Sequence, residues 1–311
     1  MFWPELYDAE KVLDRDYCEV PCRWTNNTAA RAEADLVIYH PTYNPAEAQS
    51  IREFPDQVVA IFSMEPIFGM NANDMDAALS GYDFLVHLSK HADAVVTYAH
   101  TLQELLDGDA QEEFEAANPL PDSFVNGTRS MLATFITAGC DTDPDRVSHH
   151  VMTAQRRKVQ ILKHYKFVIG LENFVREDYV TEKFYHMFAS RRLGVYLGAP
   201  NAAAYAPLGS FINALEHSPD DLATLLRQLD ADEDAYKSYF AWRLGDDDST
   251  PARFNDVISN SLMGQHGDGF EWVCKLCKLY HMHYDWETTQ RDSLFASSNP
   301  VDDIRRQHLH A

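Results

Sequence analysis

The chain has 311 residues, 45% of them apolar, which is enough to fill the cores of two domains. Its 26 lysines and arginines against 48 aspartates and glutamates give a formal charge of −22. That balance argues against nucleic acid and anionic membrane surfaces as partners, because both would repel it, but a few focused cations can still hold a phosphorylated ligand.

No apolar run approaches the length of a membrane span, and the N-terminus MFWPELYDAE lacks a basic-then-apolar leader, so the expectation is a soluble chain. Five cysteines, Cys18, Cys22, Cys140, Cys274 and Cys277, fall into two close pairs and one single residue. The pairs and two sequons (Asn26 to Thr28, Asn126 to Thr128) point weakly to an oxidising compartment.

In chain order, DLVIYH (35–40), QVVAIFS (57–63), DFLVHLS (83–89) and DAVVTYA (93–99) read as short strands buried on both faces. The acidic, proline-bearing stretch 107–130 lacks sustained apolar periodicity and reads as a linker or long surface loop. It marks the expected boundary between domains at 1–125 and 126–290, with a polar tail over 291–311. A second alternating series follows. LATFITAG (132–139) reads as a strand, and residues 143–162 as a helix with an acidic start and a basic later half.

YKFVIGL (165–171) is the next predicted strand. Asp178 is placed to cap a helix running to about Arg192, with Val180, Phe184, Met187 and Phe188 on one face. Gly194 is expected to stop that helix before the strand VYLG (195–198). Two amphipathic helices, SPDDLATLLRQLD and EDAYKSYFAWRL, close the series. The alternation predicts an α/β protein with two doubly wound domains and a cleft between them.

Glu172 and Asn173 fall at the carboxyl end of a buried parallel strand, where open α/β sheets bind ligands. The following helix begins with free backbone N–H groups, and Lys183 lies in its first turns beside Glu182. This suits a ligand with phosphates at one end and hydroxyls at the other, such as a sugar nucleotide. The plainer alternative is an N-cap followed by an exposed Glu-Lys pair.

The run YKFVIGLENFVREDYVTEKFYHMFASRRLGVYLGAPNAAAYAPLGSFINA resembles the donor-binding signature of the α-1,3/1,4-fucosyltransferases. The shared residues are Tyr165 to Phe167, Glu172, Asn173, Asp178 through Lys183, Gly198, Pro207, Ser210 to Ile212, and Tyr236 through Arg243. The first half is similar more loosely, through ADLVIYH, VVAIFSMEPIF and YDFLVHLSKHADAVVTYA.

The resemblance implies two facing Rossmann-like domains of the GT-B type with the active site in the interdomain cleft. The first would bind the acceptor and the second GDP-fucose. It implies inverting transfer of L-fucose to a hydroxyl of a glycan or glycoprotein, α-1,3 to GlcNAc or glucose, with no metal or other cofactor. Glu65 matches the family's proposed general base, which would take the acceptor's proton. Arg146 and Lys183 match diphosphate positions, where cations stabilise the leaving GDP. Glu172, Asn173, Tyr179 and Glu182 are carried over as contacts to fucose, ribose and guanine. Family location implies the Golgi lumen.

The chain also departs from the pattern. The segment before Tyr165 is shorter and lacks the family's glycine, and Leu171 and Phe174 replace Phe and Ser. A non-catalytic GDP-sugar or glycan-binding homologue, or a transferase using another GDP-sugar, therefore stands as the alternative. The aspartate runs 141–143 and 246–248 raise a metal reading that the chain's general acidity weakens. Cys274, Cys277, His281 and His283 have the makings of a zinc site or of a local disulfide, and Cys18 and Cys22 of a local bridge or two thiols.

Overall fold

Short β-branched and aromatic runs become strands in both halves of the chain. The computed structural model describes residues 10–39, 52–65, 82–99, 108–117, 119, 131–134, 151–243 and 271–291. In chain order its strands are β1 (Lys11–Leu13), β2 (Cys22–Trp24), β3 (Leu36–Tyr39), β4 (Val58–Ser63), β5 (Phe84–His87), β6 (Ala94–Val95), β7 (Met131–Thr134), β8 (Tyr165–Leu171), β9 (Leu193–Leu197) and β10 (Phe211–Asn213). The α-helices are α1 (Gly108–Ala117), α2 (Val151–Leu162), α3 (Glu182–Ala189), α4 (Pro219–Ala231), α5 (Glu233–Ser238) and α6 (Glu271–Arg291). The chain divides into two compact units, residues 1–96 with 262–311, and residues 97–261.

The first unit holds a parallel sheet in the order β3-β4-β5-β6 and a separate antiparallel ribbon, β1 with β2. Every residue of β4 is buried, so both of its faces must be covered. Val58, Ala60 and Phe62 pack with Trp272, Val273 and Leu276 of α6, while Val59 and Ile61 pack with Tyr82 on the other face. Trp272 stacks obliquely on Phe62 at 4.8 Å and meets Trp24 of the ribbon edge-on at 6.0 Å. Two disulfides, Cys18–Cys274 and Cys22–Cys277, tie the ribbon to the same helix.

The second unit holds a parallel sheet ordered β10-β9-β8-β7. Alternation along the strands sorts its layers. Val168 and Tyr196 face Leu162 of α2 and Phe184, Met187 and Phe188 of α3. Phe167, Leu193, Val195 and Ile212 face Leu229 of α4 and Tyr236 of α5. A sheet between two helical layers results, with the carboxyl ends of β8 and β9 side by side.

Several expectations are corrected. The stretch read as a loop contains α1, whose alanines and glutamates favour helix, and its Glu115 pairs with Lys163 Nζ at 2.7 Å. Gly194 lies inside β9 and does not end a helix: α3 ends at Ala189, and a Cβ on Gly194 would meet Met187 Sδ at 2.6 Å. The compact units also cut the chain differently from 1–125 and 126–290, because α6 returns to the first unit. The cysteines bridge across the sequence and not within each pair, and bridged sulfurs leave no zinc set at 274–283. Cys140, both aspartate runs and the tail from 292 lie outside the described residues.

Candidate functional site

The seam between β8 and α3 is built around a buried carboxylate. Glu172 follows the last residue of β8, and its backbone N–H donates to Leu197 of β9 at 2.9 Å, so it stays in register with the sheet. Its side chain is fully buried. Gly198 has no room for a Cβ, which would run into the Tyr196 ring and the Glu172 side chain.

Each oxygen of Glu172 is engaged. Oε1 accepts from the Thr181 N–H at 2.8 Å and lies 3.1 Å from the Tyr196 hydroxyl. Oε2 accepts from the Thr181 hydroxyl at 2.7 Å and stands 3.4 Å from Lys183 Nζ. The Tyr196 hydroxyl also lies 3.2 Å from the Tyr179 carbonyl, closing the loop between strand and helix.

Thr181 caps α3: its hydroxyl accepts from the Lys183 N–H and, at 3.1 Å, from Lys183 Nζ. Nζ also stands 3.3 Å from Glu182 Oε1. Asp178, the residue expected at that cap, has another task. Asp178 is buried with a left-handed backbone, φ 62°, a conformation Asp tolerates better than most residues. Its carboxylate accepts from Asn201 Nδ2 at 2.7 Å and from the Tyr205 hydroxyl at 2.8 Å, and its N–H donates to Asn201 Oδ1 at 2.9 Å. These three bonds pin the loop that delivers Thr181.

Burial pushes the Glu172 pKa up, although Lys183 and the Thr181 hydrogen bonds pull it down. Burial pulls Lys183 down, but Glu182 and Glu172 more than reverse that and leave it raised. The pair is lopsided because the carboxylate has lost all its water while the ammonium remains partly exposed. Lys158 of α2 joins the same field with its pKa lowered, by burial first and then by Lys183, against the pull of Glu182 and Glu172. Burial also pushes Tyr185 and Tyr196 up, Glu172 adding to both.

Of the residues singled out from sequence, Glu172, Glu182 and Lys183 form one network. Tyr179 contributes its carbonyl, and its buried ring meets Phe174 edge-on at 6.2 Å. Asn173 is exposed, one residue beyond the network.

Glu65 lies in the first unit, two residues past β4. The Ser63 hydroxyl donates to its carbonyl at 2.9 Å, and His87 Nε2 lies 3.1 Å from the same oxygen. His87 Nδ1 accepts from the Ser89 N–H, so Nε2 carries the proton toward Glu65. Arg146 lies outside the described residues.

The residues missed were Thr181, Tyr196, Lys158 and the Asp178, Asn201 and Tyr205 set. Thr181 immediately before Glu182 is an N-cap signal that was legible; the others depend on folding. An ammonium held at a helix start, at the carboxyl end of a parallel strand, can bind an anion.

Residues 140–293 match the family model described as glycosyltransferase family 10 (fucosyltransferase) C-term. A GDP-fucose protein O-fucosyltransferase 3 of Canis lupus familiaris is 36% identical over 88 residues, covering 27% of this chain and 18% of its own length. A fucosyltransferase-like protein of Arabidopsis thaliana is 26% identical over 239 residues, 74% of this chain and 44% of its own. This chain thus spans less than half the length of these curated relatives. The crystal structure of an α1,3-fucosyltransferase aligns over 73% of this chain and 76% of that one, with a TM-score of 0.46 and 15% identity.

Proposed function

The segment 140–293 belongs to glycosyltransferase family 10, the fucosyltransferases, and from that premise we propose that the chain transfers L-fucose from GDP-fucose to an acceptor hydroxyl. The observation that carries this reading is Lys183, held at the start of α3 by the buried Glu172 and by Thr181 inside the family-matched segment.

On this reading the diphosphate of the donor lies at the α3 N-terminus. Lys183, with Arg146, balances the charge that builds on GDP as the glycosidic bond breaks. Glu65 accepts the acceptor's proton, and the anomeric centre inverts. His87 and Ser63 fix the backbone carbonyl of Glu65. Asn173, Tyr179 and Glu182 contact the sugar and nucleoside, and Glu172 acts by holding Lys183. The GT-B arrangement, metal independence and a Golgi location belong to the same reading, and the two disulfides fit an oxidising lumen.

Calorimetry with GDP-fucose, with and without EDTA, tests it on the wild type and on Lys183→Ala. The expected result is binding that survives EDTA and weakens at least about tenfold in the variant. A folded wild type that does not bind GDP-fucose overturns the reading. Competition with GDP-mannose separates fucose from another GDP-sugar donor.

For the acceptor there are two readings. The resemblance to α-1,3/1,4 enzymes favours a glycan hydroxyl, α-1,3 to GlcNAc or glucose. Several relatives are named as protein O-fucosyltransferases, which favours a hydroxyl on a polypeptide. Labelled fucose from GDP-fucose, offered to free oligosaccharides and to folded deglycosylated protein domains, decides between them.

A further inference from the structure

The sequon Asn26-Asn27-Thr28 lies in the first unit, and the fucosyl reaction gives it no task. Asparagine two residues before threonine, with no proline between them, is the acceptor signal for N-linked oligosaccharide. A chance triplet fails as an acceptor when its carboxamide is buried, when a hydrogen bond already claims it, or when the chain folds in a reducing compartment. This one passes on all three counts.

The ribbon strand β2 ends at Trp24, whose ring turns onto Trp272 of α6. The chain leaves the ribbon through residues 25–27 and enters a short 3-10 helix, Thr28–Glu33. Two side chains shape that exit. Thr25 Oγ1 accepts from the Asn27 N–H at 3.1 Å, and Asn27 Oδ1 caps the helix by accepting from the Ala29 N–H at 3.0 Å.

The bend is thus fixed by Thr25 and Asn27, and by neither of the side chains that the acceptor signal requires. Asn26 and Thr28 are both exposed, and among the described residues neither side chain makes a hydrogen bond. Other asparagines differ: Asn27 and Asn213 cap 3-10 helices, and Asn201 is held by Asp178. A sugar on Asn26 therefore displaces no contact of the fold.

The cysteines supply the compartment. Four of the five are bridged, and Cys22, four residues before Asn26, is joined to Cys277. Bridges of this kind persist in the oxidising secretory pathway, where asparagine-linked oligosaccharide is also added.

We propose that Asn26 carries an N-linked oligosaccharide, a modification independent of the fucosyl reaction. The co-reactant is an oligosaccharide linked through diphosphate to a lipid, with N-acetylglucosamine as its first sugar. A bond forms from Asn26 Nδ2 to the anomeric carbon of that sugar, and the bond from the same carbon to the diphosphate oxygen breaks. The nitrogen loses one proton, the lipid diphosphate leaves, and nothing is oxidised or reduced. The Thr28 hydroxyl serves as the recognition group for the transferring enzyme.

The test is glycopeptide mass spectrometry on the full chain, directed into the secretory pathway of a eukaryotic host and digested without reduction. In the wild type, fragmentation should place an N-acetylglucosamine-based glycan on Asn26 in most molecules. Asn26→Gln and Thr28→Ala should each lose it, and Thr28→Ser, which keeps the hydroxyl, should retain it in part or in full. The peptide holding Asn126 is read separately, so the second sequon does not enter the result.

An unmodified Asn26 peptide beside an intact Cys22–Cys277 bridge overturns the assignment. An unmodified peptide with free thiols overturns it too, because the compartment it rests on is then gone. A sugar that persists in Thr28→Ala overturns the N-linked chemistry. Each of these outcomes leaves the reading of the donor site untouched.

Discussion

Glu172 illustrates how a carboxylate can serve a phosphate site without touching a phosphate. Fully buried, it spends both oxygens on Thr181, Tyr196 and Lys183, fixing where the ammonium stands. Glu172→Gln keeps the shape and some of the hydrogen bonds but drops the charge. Its thermal midpoint should stay within a few degrees of wild type, since the lost ion pair is offset by the lost desolvation. GDP-fucose affinity should nevertheless fall about tenfold as Lys183 loosens. A donor affinity equal to wild type would remove Glu172 from the site.

The two lysines should also part company in alkali. Lys183 has a raised folded pKa, so its stabilising contribution is present below 10.5 and lost as pH climbs through the raised value. Lys158 has a lowered one, so its cost is present while it is charged and fades between that lower value and 10.5. Urea unfolding over a series of alkaline pH values should therefore show a steeper loss of stability in Lys158→Met than in wild type, and a shallower one in Lys183→Met.

At the scale of elements, the loop from Asn173 to Thr181 is shaped by what pins it. Asp178→Ala should cost about 2–3 kcal/mol by urea unfolding, from two lost hydrogen bonds and an alanine forced into the left-handed region. Asp178→Asn, better suited to that backbone, should cost about half as much. Gly194 and Met187 form another such pair, between β9 and α3. Gly194→Ala should destabilise by about 1–3 kcal/mol, and the added cost should be smaller in a Met187→Ala background, because the clashing sulfur is gone.

Most strands of the two parallel sheets were legible because buried parallel strands read as continuous apolar runs, as YKFVIGL does over the whole of β8, whereas the three-residue strands β1, β2 and β10 are too short to give such a run and were not read. The Glu172, Glu182 and Lys183 cluster was legible because one strand end and one helix start bring it together locally. Asp178 was misread because Asp suits both an N-cap and a left-handed turn, and only Asn201 and Tyr205, more than twenty residues on, decide between them. Lys158 was invisible for the same kind of reason: two successive crossovers set α2 beside α3. The helix α1 was missed because its stability owes more to propensity and the Lys163 pair than to any apolar stripe.

At the scale of the molecule, α6 belongs with the ribbon and sheet that begin the chain, and two bridges hold it there. Peptide mapping without reduction should recover Cys18 joined to Cys274 and Cys22 joined to Cys277. Cys18→Ser/Cys274→Ser should lower stability by about 2–5 kcal/mol, read by urea unfolding under non-reducing conditions. Recovery of a Cys18–Cys22 peptide instead would leave α6 without its covalent ties to the ribbon.

Those bridges also set a timetable for biosynthesis. Cys18 leaves the ribosome 256 residues before its partner, and Cys22 leads its own by 255. At ordinary elongation rates that is a wait of roughly 13–51 s. For that interval the nascent first unit lacks the tryptophan that covers β4, while all of the second unit is made and can fold. Two thiols four residues apart must stay reduced, or be reopened if they join prematurely to each other or to Cys140. Maturation of this chain should therefore depend on disulfide isomerase more heavily than its small number of bridges implies.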